Sequence, residues 1–463
     1  MNPTAVQPTQ SRYYVLAILT LVYAFNHIDR QVLVILLEPI RKDLGLQDWH
    51  LGLLSGLGFA AVYSTVGIPV AIWADRGVRR DIVALSLGVW SFMTVLSGFA
   101  QTYWHLLLAR MGVGLGEAGG TPPATSMIAD LYPPSQRATA LGVYTLGIGL
   151  GILAGFPLGG YVYELYGWRA AFFVAGAPGL VLALIVWLTV REPQRGQSEA
   201  RVDTARPTIG QTFTFMLSQP AFLWLLAGCM LICVSANAFL AWTSPLLIRT
   251  YNAGVGEVSL ALGLLVGGLG GLGAVLIGMV CDRLSKRDLR WRPWIILACA
   301  IAALPFAWGF LNAGSIQNAY LFNIVPSFVG LIYASVAYTA AQELVGVKLR
   351  ATASAFTLFC LTLLGIGGGP TLVGFLSSAF AADGPAISLR RALEFMLLFN
   401  AASIGCLFMS SLTYRRDAAR AENHSAGRRD GLTGRIHSRD RKAVAPRTVA
   451  KRVMSVITTA MKG

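Results

Sequence analysis

Long apolar runs dominate the chain, and short polar segments separate them. A helix needs about 20 apolar residues to cross the hydrocarbon core of a bilayer, which is about 30 Å thick. The pattern therefore predicts an all-α membrane protein with twelve transmembrane helices. The predicted spans are 13–37, 50–74, 81–101, 105–131, 137–165, 170–190, 219–246, 256–281, 293–312, 318–345, 350–380 and 389–413.

The longest polar interruption before the tail falls between the sixth and seventh spans and divides them into two six-helix groups. The predicted organisation has five parts. They are a cytoplasmic N-terminus at 1–12, a first half at 13–190, a cytoplasmic inter-half loop at 191–218, a second half at 219–413 and a basic cytoplasmic tail at 414–463.

The composition agrees with a membrane location. The chain of 463 residues is 55% hydrophobic and 13% charged, whereas soluble domains carry about 25% charged residues. The six cysteines lie in or beside apolar segments and form no metal-ligand pattern with histidine. We find no Ser-His-Asp set and no phosphate-binding loop. The sequence therefore predicts neither an enzyme nor a cofactor or metal site.

Lys and Arg concentrate in the loops on one side of the predicted spans, and loops rich in these residues face the cytoplasm. The richer side holds Arg76, Arg79, Arg80, Arg137, Arg191, Arg195, Arg201, Arg206, Arg283, Lys286, Arg287, Arg290, Arg292, Lys348 and Arg350. The other side holds Arg41, Lys42, Arg169, Arg249, Arg390 and Arg391. The bias predicts a multi-pass protein of the cell inner (plasma) membrane with both termini in the cytoplasm.

The tail carries thirteen Lys or Arg and four Asp or Glu, so +9 of the formal +15 net charge lies there. A basic segment beside a membrane is typical of a solvated tail or of contact with anionic lipid. The tail has no interleaved aromatic residues and no nucleic-acid-binding module. We therefore expect membrane lipids as partners, no nucleic acid, and a monomer.

Two short motifs occur once in each half. Ala-Asp-Arg-Gly-Val-Arg-Arg at 74–80 ends the second span, and Cys-Asp-Arg-Leu-Ser-Lys-Arg at 281–287 ends the eighth, 207 residues later. Arg-Ala-Thr-Ala opens the fifth span at 137–140 and the eleventh at 350–353, 213 residues later. Nearly equal offsets indicate two parallel six-helix pseudo-repeats, an arrangement in which the substrate site lies between the halves near the midplane.

The first of these motifs suggests a conformational contact. In both copies an Asp lies at a helix C-terminus beside a cationic turn, where it can pair with an Arg or face the N-terminus of a neighbouring helix. Such a contact can form in one conformation and break in another. We therefore predict a latch on the cytoplasmic side that consists of Asp75, Arg76, Arg79, Arg137, Asp282, Arg283 and Arg350.

The loop motif resembles the Gly-x-x-x-Asp-Arg signature of the major facilitator superfamily, with Gly278 in the second copy and Ala71 in its place in the first. A closer resemblance, over about 13–413, is to the bacterial branch of the spinster family. It rests on Asn-His-Ile-Asp-Arg-Gln at 26–31, Arg-Met-Gly-Val-Gly-Leu-Gly-Glu-Ala at 110–118, Ile-Ala-Asp-Leu-Tyr at 128–132, Gly-Trp-Arg-Ala-Ala-Phe at 167–172 and Arg-Glu-Pro-Gln-Arg-Gly at 191–196. The resemblance implies a major facilitator fold and a transport function.

Few ionisable residues lie inside the spans, where each is costly and marks a candidate functional site. Asp29 and Arg30 lie in the first span, and Arg110 and Glu117 in the fourth. At 1.5 Å per residue, Asp29 and Arg110 reach similar depth, and Glu117 lies nearer the midplane, within reach of the Arg30 side chain. The sequence therefore predicts a cluster of two acids and two arginines.

Arginine keeps its proton at any ordinary pH, so Asp29 and Glu117 are the predicted proton-coupling residues. Proton gain would loosen their pairing with the arginines. An Asp29–Arg110 pair could also be a purely structural lock between two helices. Small residues around Glu117 are expected to leave open space beside it; they are Gly116, Ala118, Gly119 and Gly120. The spinster resemblance implies that this polar network serves proton coupling and substrate binding.

The second half has almost no charge inside its spans and offers scattered polar groups instead. A cavity with charge on one wall and apolar surface on the other suits an amphipathic anion. The spinster resemblance implies sphingolipids and lysophospholipids as substrates. The predicted substrate-binding residues are Arg30, Arg110, Glu117, Asn26, Tyr333 and Tyr338.

These features together predict a proton-coupled secondary transporter that moves a lipid-like anion by alternating access. An organic-anion or drug transporter of the same superfamily is the alternative. A non-transporting membrane receptor or scaffold is a third interpretation. The direction of transport and the choice between symport and antiport stay open.

Overall fold

The computed structural model describes residues 10–196, 214–345 and 349–443, with the backbone alone at 350–351 and 423–443. The described residues form helices and short connections, and no strand occurs among them. The first half contains α1 (Arg12–Leu44), α2 (Asp48–Ser55), α3 (Leu57–Arg76), α4 (Arg79–Ser97), α5 (Tyr103–Glu117), α6 (Thr121–Leu131) and α7 (Pro134–Thr189).

The second half contains α8 (Pro220–Tyr251), α9 (Val255–Leu262), α10 (Gly270–Ser285), α11 (Trp291–Leu311), α12 (Ile316–Val329), α13 (Ile332–Val345), α14 (Arg350–Cys360), α15 (Gly369–Ala379) and α16 (Pro385–Ala443). Two π-helical segments interrupt it. The first, Gly263–Leu269, joins α9 to α10, and the second, Leu361–Gly368, joins α14 to α15. A short 3-10 turn, Ala381–Asp383, precedes α16.

Local sequence sets several helix boundaries. Thr102 caps α5, because its hydroxyl accepts a hydrogen bond from the N–H of His105 (3.3 Å). Ser315 caps α12 in the same way through the N–H of Asn318 (3.3 Å). Gly45 ends α1 with a φ of 63°, a left-handed conformation that glycine adopts without a steric penalty.

The membrane crossings agree with the predicted spans. Ten helical segments among the described residues are long and apolar enough to cross a membrane. One of them, α7, supplies two crossings, and the shorter α5 and α6 together supply another. The all-α membrane fold is therefore confirmed, and the twelve predicted spans each correspond to a described crossing.

The two crossings of α7 meet at Gly167, whose backbone leaves the helical region (φ 82°, ψ 170°). Before this turn, a Cβ on Gly147 would lie 2.8 Å from the carbonyl oxygen of Thr20 in α1. At the C-terminal end of α7, the hydroxyl of Thr189 lies 2.6 Å from that of Tyr14 in the first turn of α1. The chain therefore runs outward along α1, reverses at Gly167 and returns to the level at which α1 began.

Each half begins and ends on one side of the membrane, which we call the terminal side; the opposite side is the far side. In the second half, the N–H of Ala221 in α8 donates to Asp417 in α16 (2.9 Å). On the far side, Arg249 at the end of α8 contacts Glu38 near the end of α1 (2.7 Å). The loop charges therefore sort into two sides as predicted, and the cytoplasmic location of the terminal side stays a prediction.

The two halves touch along two seams toward the far side. In one seam, α2 approaches α15 so closely that a Cβ on Gly52 would lie 2.8 Å from the carbonyl oxygen of Pro370. In the other, a Cβ on Gly263 would lie 2.9 Å from the ring of Pro157 in α7. The hydrogen bonds that join described residues of the two halves also lie on the far side. The molecule is therefore closed on its far side.

The last helix continues past the predicted end of the twelfth span at 413 to Ala443. Its first residues beyond the span are anchored in the second half. Tyr414 is fully buried and donates to Glu343 (3.0 Å). Arg415 donates to Asp288 through Nε (3.0 Å) and Nη2 (2.9 Å). The root of the basic tail is thus fixed to the helix connections on the terminal side.

Candidate functional site in the membrane interior

The predicted reach of Arg30 toward Glu117 is present in the structure. Arg30 donates to one Glu117 carboxylate oxygen, Oε2, from Nε (2.8 Å) and Nη2 (2.5 Å). Glu117 is buried, whereas 21% of the Arg30 side chain is exposed. Asn26 lies one turn before Arg30 on α1 and is also buried. This ion pair therefore ties α1 to α5 at the edge of an accessible space.

Asp29 points to a different partner from the one considered in the sequence. The hydroxyl of Thr94 in α4 donates to its Oδ2 (3.1 Å), while its Oδ1 has no hydrogen-bond partner. Asp29 interacts electrostatically with Arg110 and Glu117, but no hydrogen bond or ion pair joins Asp29 to Arg110 among the described contacts. The structural lock considered for Asp29 and Arg110 is therefore not formed in this conformation.

Arg110 is the least satisfied cation of the cluster. It is 3% exposed, and its Nε and Nη1 have no hydrogen-bond partner. Its guanidinium carbon lies 5.8 Å from the ring centre of Phe59, and that of Arg30 lies 4.6 Å from the same ring. Buried guanidinium groups normally satisfy their donors, so Arg110 carries two buried unpaired donors beside two acids in this conformation.

The small residues around Glu117 do not leave the open space that was expected. A Cβ on Gly116 would lie 2.6 Å from the backbone nitrogen of Trp90, and one on Gly119 would collide with the Ser86 hydroxyl. That prediction was wrong, because these glycines allow α5 and its C-terminal turn to pack closely against α4. Glu117 is itself buried, and its hydrogen-bonded partner Arg30 is the partly exposed member of the pair.

The second half contributes a weakly polar wall. Tyr333 donates to the thiol sulfur of Cys233 (3.2 Å), and so does the side-chain amide of Asn237 (3.3 Å). Tyr338 follows Tyr333 on α13 and is half-buried. The predicted residue Tyr333 therefore belongs to this wall. Cys233 was not predicted, since its sequence context shows only two small apolar residues four apart.

A cavity of about 170 Å³ opens beside this wall. Apolar side chains line most of it, including Phe156 from the first half and Ala303 and Phe310 from the second. Two of its polar atoms, the Ser327 hydroxyl and Asn400 Oδ1, have no hydrogen-bond partner. The interior thus has a charged wall in the first half and a largely apolar recess in the second.

On the terminal side, Arg79 is the predicted latch residue that forms buried ion pairs. Arg79 is 1% exposed and binds Asp130 (2.5 Å) and Glu192 (2.7 Å). It also donates to the Ser126 hydroxyl (2.9 Å) and the carbonyl oxygen of Pro193 (2.9 Å). Arg79 is the first residue of α4, so it fixes α4 to the end of α6 and to the chain that follows α7.

The second half repeats this contact. Arg292 binds Glu343 (2.8 Å), and the distance from Arg79 to Arg292 along the chain equals that from Asp130 to Glu343, 213 residues. The motif comparison had placed Lys286 opposite Arg79. That correspondence was wrong. α10 runs two residues further past its motif Asp than α3 does, the connection after it is three residues longer, and Arg292 is the second residue of its helix, so the equivalent arginine lies six positions onward.

The other predicted latch residues lie at the edges of these contacts. Asp75 is exposed, and Arg195 donates to its main-chain oxygen. Asp282 is 71% exposed and pairs with Arg292 (3.2 Å). Arg137 donates to the carbonyl oxygen of Ala129 (2.9 Å). Arg76 and Arg283 are exposed. The side chain of Arg350 lies outside the described residues.

A further charged group, not predicted as functional, joins the halves on the far side. We call Glu38, Arg41, Asp48 and Arg249 the far-side ion cluster. Arg249 binds Glu38 through Nε (2.7 Å) and Asp48 through Nη1 and Nη2 (2.7 Å each). In the sequence Arg249 is one loop cation among six on its side, so nothing in its local context marks it.

No group of three or more His, Cys, Asp or Glu among the described residues could hold a metal ion. The described interior instead combines ion pairs, a buried guanidinium with unpaired donors and an apolar recess between two six-helix halves. This combination defines a membrane transporter with a central site.

The chain belongs to the Major Facilitator Superfamily, whose family model matches residues 19–370. Within that superfamily it is spinster-like. It is 28% identical to human protein spinster homolog 1 over 473 residues, which cover 96% of this chain and 88% of the human protein. It is 36% identical to an MFS-type efflux pump of Mycolicibacterium smegmatis over 403 residues, covering 86% of this chain and 92% of the pump.

A solved structure supports the same assignment. The crystal structure of a bacterial homolog of the human lysosomal transporter Spinster, in an inward-facing and unoccupied conformation, matches with a TM-score of 0.80. It is 30% identical in sequence, and the match covers 88% of this chain and 98% of that chain. The predicted family and fold are thereby confirmed.

Proposed function

We propose that this spinster-like transporter is proton-coupled and moves an amphipathic lipid-like anion, of lysophospholipid or sphingolipid type, by alternating access. The observation that carries the proposal is Arg110, a buried guanidinium with two open donors beside Asp29 and Glu117. A phosphate or carboxylate headgroup is the chemistry that satisfies such donors.

Asp29 and Glu117 are the proposed proton carriers. Each carboxylate has one hydrogen-bonded oxygen and one oxygen without a partner, Oδ1 and Oε1 respectively. A proton added to Glu117 removes the negative charge that holds Arg30. Arg30 and Arg110 could then bind the headgroup together, so proton binding and anion binding would be linked through the same two helices.

The recess of the second half is the proposed site of the apolar part of the substrate. Its lining is mostly aliphatic and aromatic, and it lies beside Tyr333 and Asn237, which would contact the region between headgroup and tail. Asn26 and Tyr338 are the proposed contacts on the facing walls. This placement uses charge on one wall and apolar surface on the other, which suits an amphipath better than a sugar.

An organic-anion or drug transporter is the alternative function. The relative from Mycolicibacterium smegmatis is named an efflux pump, which favours export and a broader range of substrates. A non-transporting receptor or scaffold is a weaker alternative, because such a role gives no reason for open guanidinium donors in the interior.

The test is transport of a fluorescent lysolipid in proteoliposomes with and without a pH gradient. We expect gradient-dependent transport by the wild type and loss of that dependence in Glu117→Gln. Glu394→Gln is a matched control, since Glu394 pairs with Arg390 (3.6 Å) on α16 away from the cluster. If unlabelled carboxylates compete and lysolipids do not, the organic-anion alternative replaces the lipid assignment. Proton flux with no counterflow of any substrate would favour the receptor.

We also propose an inner-membrane location with the terminal side in the cytoplasm, on the basis of the Lys and Arg bias. A C-terminal reporter that is active only in the cytoplasm tests this orientation. Activity of the same reporter fused at the far-side turn near 167, with none at the C-terminus, would reverse it.

A further inference from the structure

Backbone landmarks align the two halves position by position. α1 and α8 both end at a residue with a left-handed backbone, Gly45 (φ 63°) and Asn252 (φ 52°), and these residues are 207 positions apart. After the longer connection between α10 and α11 the offset becomes 213, the separation of Thr102 and Ser315, which cap α5 and α12. Residues of α1, α4 and α5 therefore have assignable counterparts in the second half.

Five residues form the charged wall of the first half. We call them the interior cluster; they are Asp29, Arg30, Thr94, Arg110 and Glu117. Their counterparts, in the same order, are Ala236, Asn237, Ala307, Asn323 and Gly330. All five counterparts line the recess of the second half. Each is uncharged and smaller than the residue to which it corresponds. The recess therefore lies in the place that larger, mostly charged side chains occupy in the first half.

The recess contains polar groups but no charge. Its lining includes no Asp, Glu, Lys, Arg or His among the described residues. Asn237 is satisfied within it, because its side-chain nitrogen donates to the carbonyl oxygen (2.9 Å) and the sulfur (3.3 Å) of Cys233. A charged group would enter the recess without a counter-charge, which is strongly disfavoured in a buried site. The recess therefore suits an uncharged group.

Two polar atoms of the lining remain for a ligand. Ser327 on α12 is 7% exposed, and its hydroxyl has no hydrogen-bond partner. Asn400 on α16 has an unpaired Oδ1. Buried polar atoms are normally hydrogen-bonded. An alcohol can accept a hydrogen bond from Ser327 and donate one to Asn400, whereas an ether or ester oxygen can only accept. A hydroxyl is therefore the uncharged group that matches both atoms.

We propose that the recess is a recognition site for an uncharged hydroxyl group carried by an apolar chain, and that Ser327 and Asn400 determine this specificity. The proposal deepens the proposed function and rests on its assignment of the recess to the substrate. An amphipath with a free hydroxyl between headgroup and chain would place the headgroup at the interior cluster and the hydroxyl in the recess. Ala236, Ala307 and Gly330 would leave room for the chain.

Native mass spectrometry of the full-length protein tests the recess alone, without a pH gradient or an anionic headgroup. The probes are 1-lauroylglycerol and propyl laurate, which share the chain and the ester and differ only in the two hydroxyls of the glycerol. The detergent is an amine oxide, because it carries no hydroxyl. We expect the wild type to bind 1-lauroylglycerol about tenfold more tightly than propyl laurate.

Ser327→Ala and Asn400→Leu each remove one hydrogen-bonding partner of the hydroxyl. Each should weaken binding of 1-lauroylglycerol about fivefold or more and change binding of propyl laurate by less than about twofold. Asn318→Leu is the matched control, because Asn318 is exposed on α12, and it should leave both affinities unchanged.

Ala307→Val separates the volume of the recess from its polar atoms. The added methyl groups should weaken binding of both probes and leave the ratio of their affinities as in the wild type. Ala302→Val is the control for this variant, since Ala302 is exposed on the same helix, and it should change neither affinity.

Equal binding of the two probes by the wild type would overturn the proposal. A wild-type preference in Ser327→Ala and Asn400→Leu would also overturn it, and so would an equal loss of both probes in these variants, which would mark structural damage. A preference for the hydroxyl without any lysolipid transport would reject the transport assignment and keep the recognition site. Gradient-driven lysolipid transport without this preference would reject the recognition site alone.

Discussion

The two halves share a scaffold and differ in their interiors. Both carry an arginine at the start of a helix that pairs with an acid at the same separation, Arg79 with Asp130 and Arg292 with Glu343. Inside the membrane, the first half has four ionisable residues in the cluster, whereas the facing wall of the second half offers a thiol, an amide and two tyrosines. The repeated contact lies at the terminal side in both halves, and the midplane residues have diverged.

The terminal-side ion pairs and the midplane residues have different tasks in the two halves. A terminal-side pair has to hold helices together, and the same chemistry serves both halves. A central site for an amphipath needs two unlike walls, one polar and one apolar, which two identical repeats cannot provide. The following predictions compare the halves position by position.

The largest effect is expected in the interior. Removing one partner of a buried ion pair costs about 3 kcal/mol or more, so Glu117→Gln should lower gradient-driven transport on the order of 100-fold. Asn237→Leu, on the facing wall of the second half, should lower it less than about fivefold, because only uncharged hydrogen bonds to the carbonyl oxygen and thiol sulfur of Cys233 are lost. Initial rates of lysolipid transport compare the two. Equal losses would contradict the division between a coupling wall and a binding wall.

The repeated arginine pairs should differ in their contribution to stability. Arg79 is 1% exposed with partners in two segments, and Arg292 is 12% exposed with one partner largely in solvent. We expect Arg79→Gln to lower the free energy of unfolding by about 3 kcal/mol and Arg292→Gln by about 1 kcal/mol. Thermal unfolding in detergent measures both. A larger loss for Arg292→Gln would reverse this order.

The recess of the second half should discriminate by chain length. Ala303→Phe places a ring in the cavity and should weaken competition by long-chain lysolipids about tenfold, with little effect on short-chain analogues. Ile301→Phe is the matched control, because Ile301 is 51% exposed on the outer surface. Equal loss for short and long chains would place the tail elsewhere.

The smallest effect is expected at Asp288, in the connection between α10 and α11. The corresponding connection of the first half, between α3 and α4, is shorter. Burial opposes ionisation of Asp288, but the Arg290 N–H and the Arg290 and Arg415 side chains outweigh it and lower its pKa to about 2. A lowered pKa stabilises the fold above the usual value of 3.8, and this contribution disappears as the pH falls through about 2.

The difference in melting temperature between wild type and Asp288→Asn measures this contribution. It should stay constant from neutral pH to about pH 4 and shrink at lower pH. A difference that persists unchanged below pH 2 would show that the carboxylate charge does not anchor Arg415.

Much of the fold follows from the sequence because the membrane imposes helix length. The runs that ended at 165 and restarted at 170 enclose the turn at Gly167. The Arg30–Glu117 pair was also accessible, since a regular rise per residue gives depth from position. Both predictions depend only on geometry within single helices.

The wrong and missed predictions concern features that depend on how separate helices pack against each other. Gly116 and Gly119 have small side chains whether they border a cavity or a packed helix, and only the position of α4 distinguishes these cases. Lys286 has the same place as Arg79 in the local sequence motif. In the structure, however, Arg292 makes the contact in the second half that Arg79 makes in the first. Arg249 gains its partners only when two separate halves are brought together, which no local pattern encodes.

The turn at Gly167 has a mechanical consequence. A single residue with positive φ joins the two arms of α7, so no flexible loop absorbs movement between them. One arm touches the second half near Pro157 and carries α1 on its side; the other packs against α4, where a Cβ on Gly176 would lie 2.8 Å from the Ser91 carbonyl oxygen. The two arms of α7 should therefore move together as a rigid pair. A displacement at the boundary between the halves would then rotate the first half as a whole.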